Sequence, residues 1–236
     1  MYKLRVLVNG KPIHKYHDKE GNIWVEARYG TRYSIEVKND TWKKALSVIS
    51  IDGLNVISGK RKDPVKSTGY VISPFNNVIV KGWRINSDQI KEFYFTSPED
   101  SYSNKLGADK QNIGVIGCIV YEEVPKIPYT YTTYSWNNLP VEKSTSGIID
   151  ETAIYSSSCQ DFSTSISAER SLSKMATGSG NKVGDRSNKV HFGEKVFASA
   201  MTIYYDSKEN LITRGVIRDL DELPKPFPNG EYCPDL

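Results

Sequence analysis

Histidine, cysteine and methionine are scarce, with three of each among 236 residues, and this limits the chemistry open to the chain. Cys118, Cys159 and Cys233 are odd in number and far apart. They form neither a paired disulfide framework nor a Cys-x-x-Cys or Cys/His cluster able to hold zinc, so they read as free, buried thiols. His14 and His17 stand three apart near a turn, a spacing that puts them on opposite faces of a strand and away from any shared metal. They read as solvated turn residues. His191 has no carboxylate pair or nucleophile motif beside it. No Gly-x-Ser-x-Gly elbow occurs, which removes the exposed serine of the hydrolase type. Thr177-Gly178-Ser179-Gly180 resembles a phosphate loop only superficially. Asn181-Lys182 follows where Lys-Ser/Thr is required, and no apolar strand precedes it.

Charge of one sign is also missing. Against 31 basic residues stand 28 acidic ones, a net charge of +3, which lacks the basic excess of a dedicated nucleic-acid partner. No apolar run approaches the roughly 20 residues that span a bilayer. The opening segment is apolar over too short a stretch for a signal peptide and reads as a strand entering a turn at Asn9-Gly10.

What the chain does have is period-two alternation. Leu4, Val6 and Val8 point one way and Lys3, Arg5 and Leu7 the other, and residues 33–38 alternate as cleanly. Residues 45–51 are nearly continuous in apolar and β-branched side chains, as in a strand covered on both faces. That run ends at Asp52-Gly53, where the acid reads as turn chemistry and not as a catalytic base. Further short strands follow at 23–27, 55–57, 69–72, 77–81, 91–95 and 113–121. This spacing predicts a mainly β fold, an antiparallel sandwich of jelly-roll or immunoglobulin-like type. Gly114 and Gly117 inside the last of these strands read as a packing notch for an aromatic ring. Residues 98–107 and 206–215 read as two short helices, the first capped by Ser97 or Ser101 and the second closed by Gly215.

Composition changes after Val124. The predicted organisation is a sandwich domain over 1–124, a Tyr/Thr- and Ser-rich extended arm over 125–194, and a C-terminal strand, short helix and Pro-rich tail over 195–236. Residues 1–124 carry 19 basic and 14 acidic residues, while the remainder carries 12 and 14, a mild asymmetry that favours docking of the two parts. Tyrosine supplies 15 of the aromatics, against 7 Phe and 4 Trp, so most rings carry a polar handle suited to interfaces. The candidate interaction residues are Trp83 and Arg84, an indole beside a guanidinium, and the stripe Tyr129, Tyr131, Tyr134 and Trp136. Adjacent strand positions face opposite sides, however, so a core Trp83 beside a surface Arg84 is the simpler account. Trp42 joins them as a candidate ring for stacking a sugar or small ligand.

Several strings together resemble a known but functionally uncharacterised β-rich family of bacteria, large DNA viruses and phages. They are Asp52-Gly53-Leu54-Asn55-Val56, Gly69-Tyr70, Gly82-Trp83-Arg84, Ser101-Tyr102, Gly114-Val115-Ile116-Gly117, Thr177-Gly178-Ser179-Gly180 and the run from Ile203-Tyr204-Tyr205-Asp206-Ser207 to Asn210-Leu211. The resemblance covers most of the chain in order. It implies no activity. Relatives often carry histidine in the glycine loop where this chain has Ser179, so no metal or acid–base role is implied for that loop here.

The combined expectation is a non-enzymatic structural or interaction protein without cofactor or metal, a minor structural component of a virus or phage capsid or surface assembly. Its partners would be other structural proteins of that assembly or a second copy of itself, with no nucleic acid and no membrane insertion. Its location would be the particle or surface assembly, otherwise the cytoplasm. The alternatives are a carbohydrate- or ligand-binding sandwich and a cell-surface protein of unknown role.

Overall fold

Alternation in the sequence becomes two packed β-sheets in a computed structural model that describes residues 1–61, 63–107, 112–124 and 174–218, all within one compact unit. One sheet contains β1 (Tyr2–Val8), β2 (Lys11–Pro12), β5 (Arg32–Asn39), β9 (Asn77–Val80), β10 (Gly82–Arg84), β11 (Gln89–Thr96) and β13 (Ala176–Gly184). The other contains β3 (Tyr16–His17), β4 (Ile23–Glu26), β6 (Ala45–Ile51), β7 (Leu54–Asn55), β8 (Tyr70–Ile72), β12 (Val115–Glu123) and β14 (Lys195–Asp206). The first runs β10-β11-β5-β1-β2, with β13 added to β11 and β9 to β5; the second runs β3-β4-β14-β12-β6-β7, with β8 added to β6. The mainly β sandwich with a C-terminal strand and short helix is therefore the observed fold.

Two Asx-Gly turns set its register. Asn9-Gly10 joins β1 to β2 and Asp52-Gly53 joins β6 to β7, each with both residues at positive φ (52° and 74°, 50° and 79°). That is the mirror-image turn whose twist suits a two-residue hairpin. Inward residues of both sheets meet in one core, where Val6, Ile35, Ile49, Ile51, Ile116 and Phe93 are all 0–1% exposed. Burying each such side chain contributes about 1.5–3 kcal/mol. As its apolar run predicts, β6 is covered on both faces. Ile49 and Ile51 enter the core, while Leu46 and Val48 join Tyr121 in an outer cluster under Val71, Ile119 and Phe192. The short helices α1 (Tyr102–Lys105) and α2 (Lys208–Thr213) are capped by Ser101 and Ser207, whose hydroxyls accept from Asn104 N and Asn210 N.

Three features depart from the reading of the sequence. The sandwich is not wholly antiparallel: β14 lies between β4 and β12 and pairs with β4 in parallel, Tyr204 opposite Trp24. Residues 174–194, assigned above to the extended arm, supply β13, and Thr177-Gly178-Ser179-Gly180 is strand rather than turn. Its small residues have a steric cause. A Cβ on Gly178 would lie 2.3 Å from the Tyr94 ring, so that ring takes the place of the missing side chain. The glycine notch also has a different origin. Gly114 sits at φ +86° with the Tyr205 carbonyl 3.1 Å from where a Cβ would be, and a Cβ on Gly117 would meet Ser50 Oγ at 2.9 Å. Neither glycine accommodates a ring.

Candidate interaction surface

The motif Gly82-Trp83-Arg84 is consumed internally. Trp83 is 2% exposed, packs on Phe93 and Tyr102, and donates its indole N–H to the Gly178 carbonyl at 3.0 Å. It is a core residue, because β10 turns that position inward over the bare backbone of β13. Arg84 points the other way but is not available either. Its guanidinium bridges to the Asp185 carboxylate and lies 5.9 Å from the centre of the Tyr70 ring, with only 10% of its side chain exposed. Trp83 and Arg84 are therefore struts that fasten β13 and the segment after it to the sandwich, not a contact patch. Tyr129, Tyr131, Tyr134 and Trp136 lie outside the described residues, as do Cys159 and Cys233. Cys118 is 1% exposed, and burial pushes its thiol up to about 12. His14, His17 and His191 are all exposed. Among the described residues no group of three or more His, Cys, Asp or Glu side chains is arranged to hold a metal.

A polar network that the sequence did not reveal lies at the centre of the molecule. The Asp52 carboxylate, 1% exposed, accepts Gly114 N–H at 2.9 Å and Tyr205 Oη–H at 2.6 Å on one oxygen, and Thr177 N–H at 2.8 Å on the other. Thr177 Oγ1 is 2.7 Å from Tyr205 Oη and 2.8 Å from Tyr33 Oη, so the network joins both sheets. Burial pushes Asp52 up to about 6, restrained by its Tyr205, Thr177 and Gly114 donors. Burial also raises the Tyr33 and Tyr205 phenols well above their usual range. The carboxylate reaches no solvent. Asp52 is the turn residue that the Asp-Gly pair indicates, with a second role as a knot between the sheets.

The exposed counterpart is found at one end of the sandwich. Trp42 is 84% exposed on the β5–β6 loop, and Phe75 is 66% exposed on the β8–β9 loop. The loops are joined by Phe75 N–H donating to the Thr41 carbonyl at 3.1 Å. Beneath them the buried Asn39 side chain donates to the Lys43 and Ser73 carbonyls at 2.8 and 3.2 Å, and accepts Thr41 N–H and Oγ1–H at 2.9 and 2.8 Å. One amide thus holds both loops. Nearby cations are matched: Lys3 and Lys38 grip Asp40, Lys43 pairs with Glu122, and Lys44 with Glu123. Those two lysines hold the Asp40 carboxyl down to about 2. Phe75 itself stands at φ +55°, a left-handed conformation that costs a non-glycine residue about 1–2 kcal/mol. Neither ring packs on another ring of the described residues. Trp42 was among the rings singled out from sequence, whereas Phe75 was missed, since its only local signal is the Ser-Pro-Phe-Asn turn composition.

Comparison with known proteins adds no relative: no family model, curated protein or solved structure matches this chain. No helix among the described residues is long and apolar enough to cross a membrane. The observed domain is a β-sandwich whose features are consistent with a non-catalytic interaction or structural module.

Proposed function

We propose that this protein is a non-enzymatic interaction module whose working surface is the Trp42–Phe75 tip, and that it serves as a minor structural component of a virus or phage particle or of a surface assembly. The observation that carries this reading is Phe75. Its ring forgoes the roughly 1.5–3 kcal/mol of burial, and its backbone accepts a strained conformation at the same time. Among the described residues no ring contact offsets either cost, and strain retained by a rigid surround is a mark of functional sites. A partner that covers Phe75 and Trp42 accounts for both. Aromatic anchors on a stiff platform also suit binding, because little side-chain freedom is lost on contact. The assembly context rests on the family resemblance of the sequence.

The test is incorporation. Wild type and a Trp42→Ser, Phe75→Asn double variant are expressed in the source, and intact particles and surface fractions are quantified by mass spectrometry. Wild type should be present in fixed stoichiometry, and the variant, folded by circular dichroism, should be lost. Equal incorporation of both, or absence of the wild type from every assembly, overturns the proposal. The 84% exposure of Trp42 favours one second reading, a sugar stacked on the indole, and a glycan-array screen with the same variant separates the two.

A further inference from the structure

At the end of the sandwich away from Trp42 and Phe75, both sheets contribute to a cleft of about 370 Å³. It falls in the size range of small-molecule sites. Val8 and Ile13 give it an apolar lining above the buried Phe95, and His14, Tyr16, Glu26, Arg28 and Thr31 supply the polar groups. Glu26 and Arg28 stand two apart across the end of β4, which brings them to one face, and Arg28 donates Nε–H to Glu26 Oε1 at 2.7 Å. That bond uses one edge of the guanidinium. The two terminal nitrogens of Arg28 have no partner among the described residues, and neither do Tyr16 Oη, Thr31 Oγ1 or the His14 ring nitrogens. The His14 and Tyr16 rings brace each other edge to face at 4.6 Å.

The donor count decides the charge of the ligand. Around an apolar lining stand a planar two-nitrogen fork, two hydroxyls and an imidazole, against a single acid whose charge Arg28 already matches. A guanidinium fork fits a carboxylate with two parallel hydrogen bonds. A cation would find only the second oxygen of Glu26, whereas an anion meets the Arg28 fork, both hydroxyls and the imidazole while leaving the pair intact.

We infer that this cleft binds a small carboxylate with an apolar body, the carboxylate on the Arg28 fork and the body against Val8 and Ile13. The chemistry is shared by a free organic acid and by the C-terminal residue of a peptide. The site is separate from the Trp42–Phe75 tip and does not depend on the role proposed for it.

The test is titration of the full ¹⁵N-labelled chain, following the Gly30 and Thr31 amides, with phenylacetate, phenylacetamide, acetate and the peptide acetyl-Gly-Gly-Phe as free acid and as amide. Phenylacetate should bind with a Kd on the order of 1 mM, as suits a ligand of about ten heavy atoms. Phenylacetamide and acetate should each bind at least roughly tenfold more weakly, since one lacks the charge and the other the apolar body. Arg28→Gln, at a side chain 77% exposed, should leave the rest of the spectrum unchanged and weaken phenylacetate by a similar factor. If the peptide acid binds as well as phenylacetate the site takes a chain terminus, and if only phenylacetate binds it takes a free acid. Equal binding of the acid and its amide, indifference to Arg28→Gln, or no shift at about 10 mM phenylacetate, roughly ten times the expected Kd, overturns the inference.

Discussion

Asp52 offers the sharpest quantitative test of how the two sheets are held together. Its carboxyl rises from 3.8 to about 6 because burial disfavours the ionised form. At about 1.4 kcal/mol for each pH unit, that rise corresponds to roughly 3 kcal/mol. The sign follows from which state binds the proton more tightly. Here it is the folded state, so the contribution of Asp52 is fully present below about pH 3.8 and is lost as pH rises through about 6. Asp40, held down to about 2 by Lys3 and Lys38, works in the opposite direction, as do Glu122, lowered by Lys43, and Glu123, lowered by the Gly193 N–H and by Lys44. A wild-type curve alone would mix these slopes. Asp52→Asn separates them, because asparagine does not titrate and tolerates the left-handed turn conformation. Its oxygen can keep the Gly114 and Tyr205 donors, but its amide faces Thr177 N–H, donor against donor, at about 1–3 kcal/mol. Urea denaturation of both proteins from pH 4 to pH 8 is the assay. The stability of wild type relative to the variant should fall by roughly 2.4 kcal/mol across that range, most steeply near pH 5, the remainder of the effect lying below pH 4. Parallel curves would show that the carboxyl is not perturbed and that the reasoning from burial is wrong.

Three further outcomes are expected. Phe75→Gly should leave stability unchanged or raise it by up to about 1 kcal/mol in a denaturant titration, because relief of the left-handed strain offsets both the added freedom of glycine in the unfolded chain and the little burial of a ring that is 66% exposed; a loss above about 1 kcal/mol would mean that the ring packs within the chain. Gly178→Ala should cost more than about 2 kcal/mol by forcing the Tyr94 ring aside, and Tyr94→Ser in the same chain should recover part of that loss, so additive effects in a double-mutant cycle would refute the steric account. Cys118, buried and pushed up to about 12, should resist iodoacetamide in the native state at pH 8 and react at the rate of unfolding, which mass spectrometry of its peptide reads directly.

Local signals in the sequence carried far in this protein, and they fail where cause and effect are far apart in the chain. Asn9-Gly10 and Asp52-Gly53 announce hairpins because the mirror-image turn demands positive φ at both positions. Ser101, one of two caps offered by the sequence, announces a helix start because its hydroxyl satisfies an amide only three residues on. The strand β13 was illegible for the opposite reason. Its Gly/Ser composition reads as a turn, and the rings that make it a strand, Tyr94 and Trp83, lie some eighty to a hundred positions away. Asp52 likewise finds Gly114, Thr177 and Tyr205 at separations of 62, 125 and 153 residues, which no window on the sequence spans. The candidate surface was half legible. Trp42 invites attention in any reading, but the exposure of Phe75 and the Asn39 clamp beneath it exist only after β5, β8 and β9 come together.

Counting hydrogens in the chain Tyr33, Thr177, Tyr205 and Asp52 yields a direction that the heavy atoms alone do not. Three hydroxyls supply three hydrogens, and three links must be filled. With Asp52 ionised, one arrangement uses every hydrogen: Tyr33 donates to Thr177, Thr177 to Tyr205, and Tyr205 to the carboxylate. All the bond dipoles then point one way, from the first sheet into the second, and each donor strengthens the next. A fourth hydrogen, brought by protonation, finds no vacant acceptor along this row. Occupancy of the row therefore resists the very proton that burial invites, and the carboxyl settles near 6 as a compromise between the two. The same polarity makes Thr177 the one position through which both tyrosines are oriented.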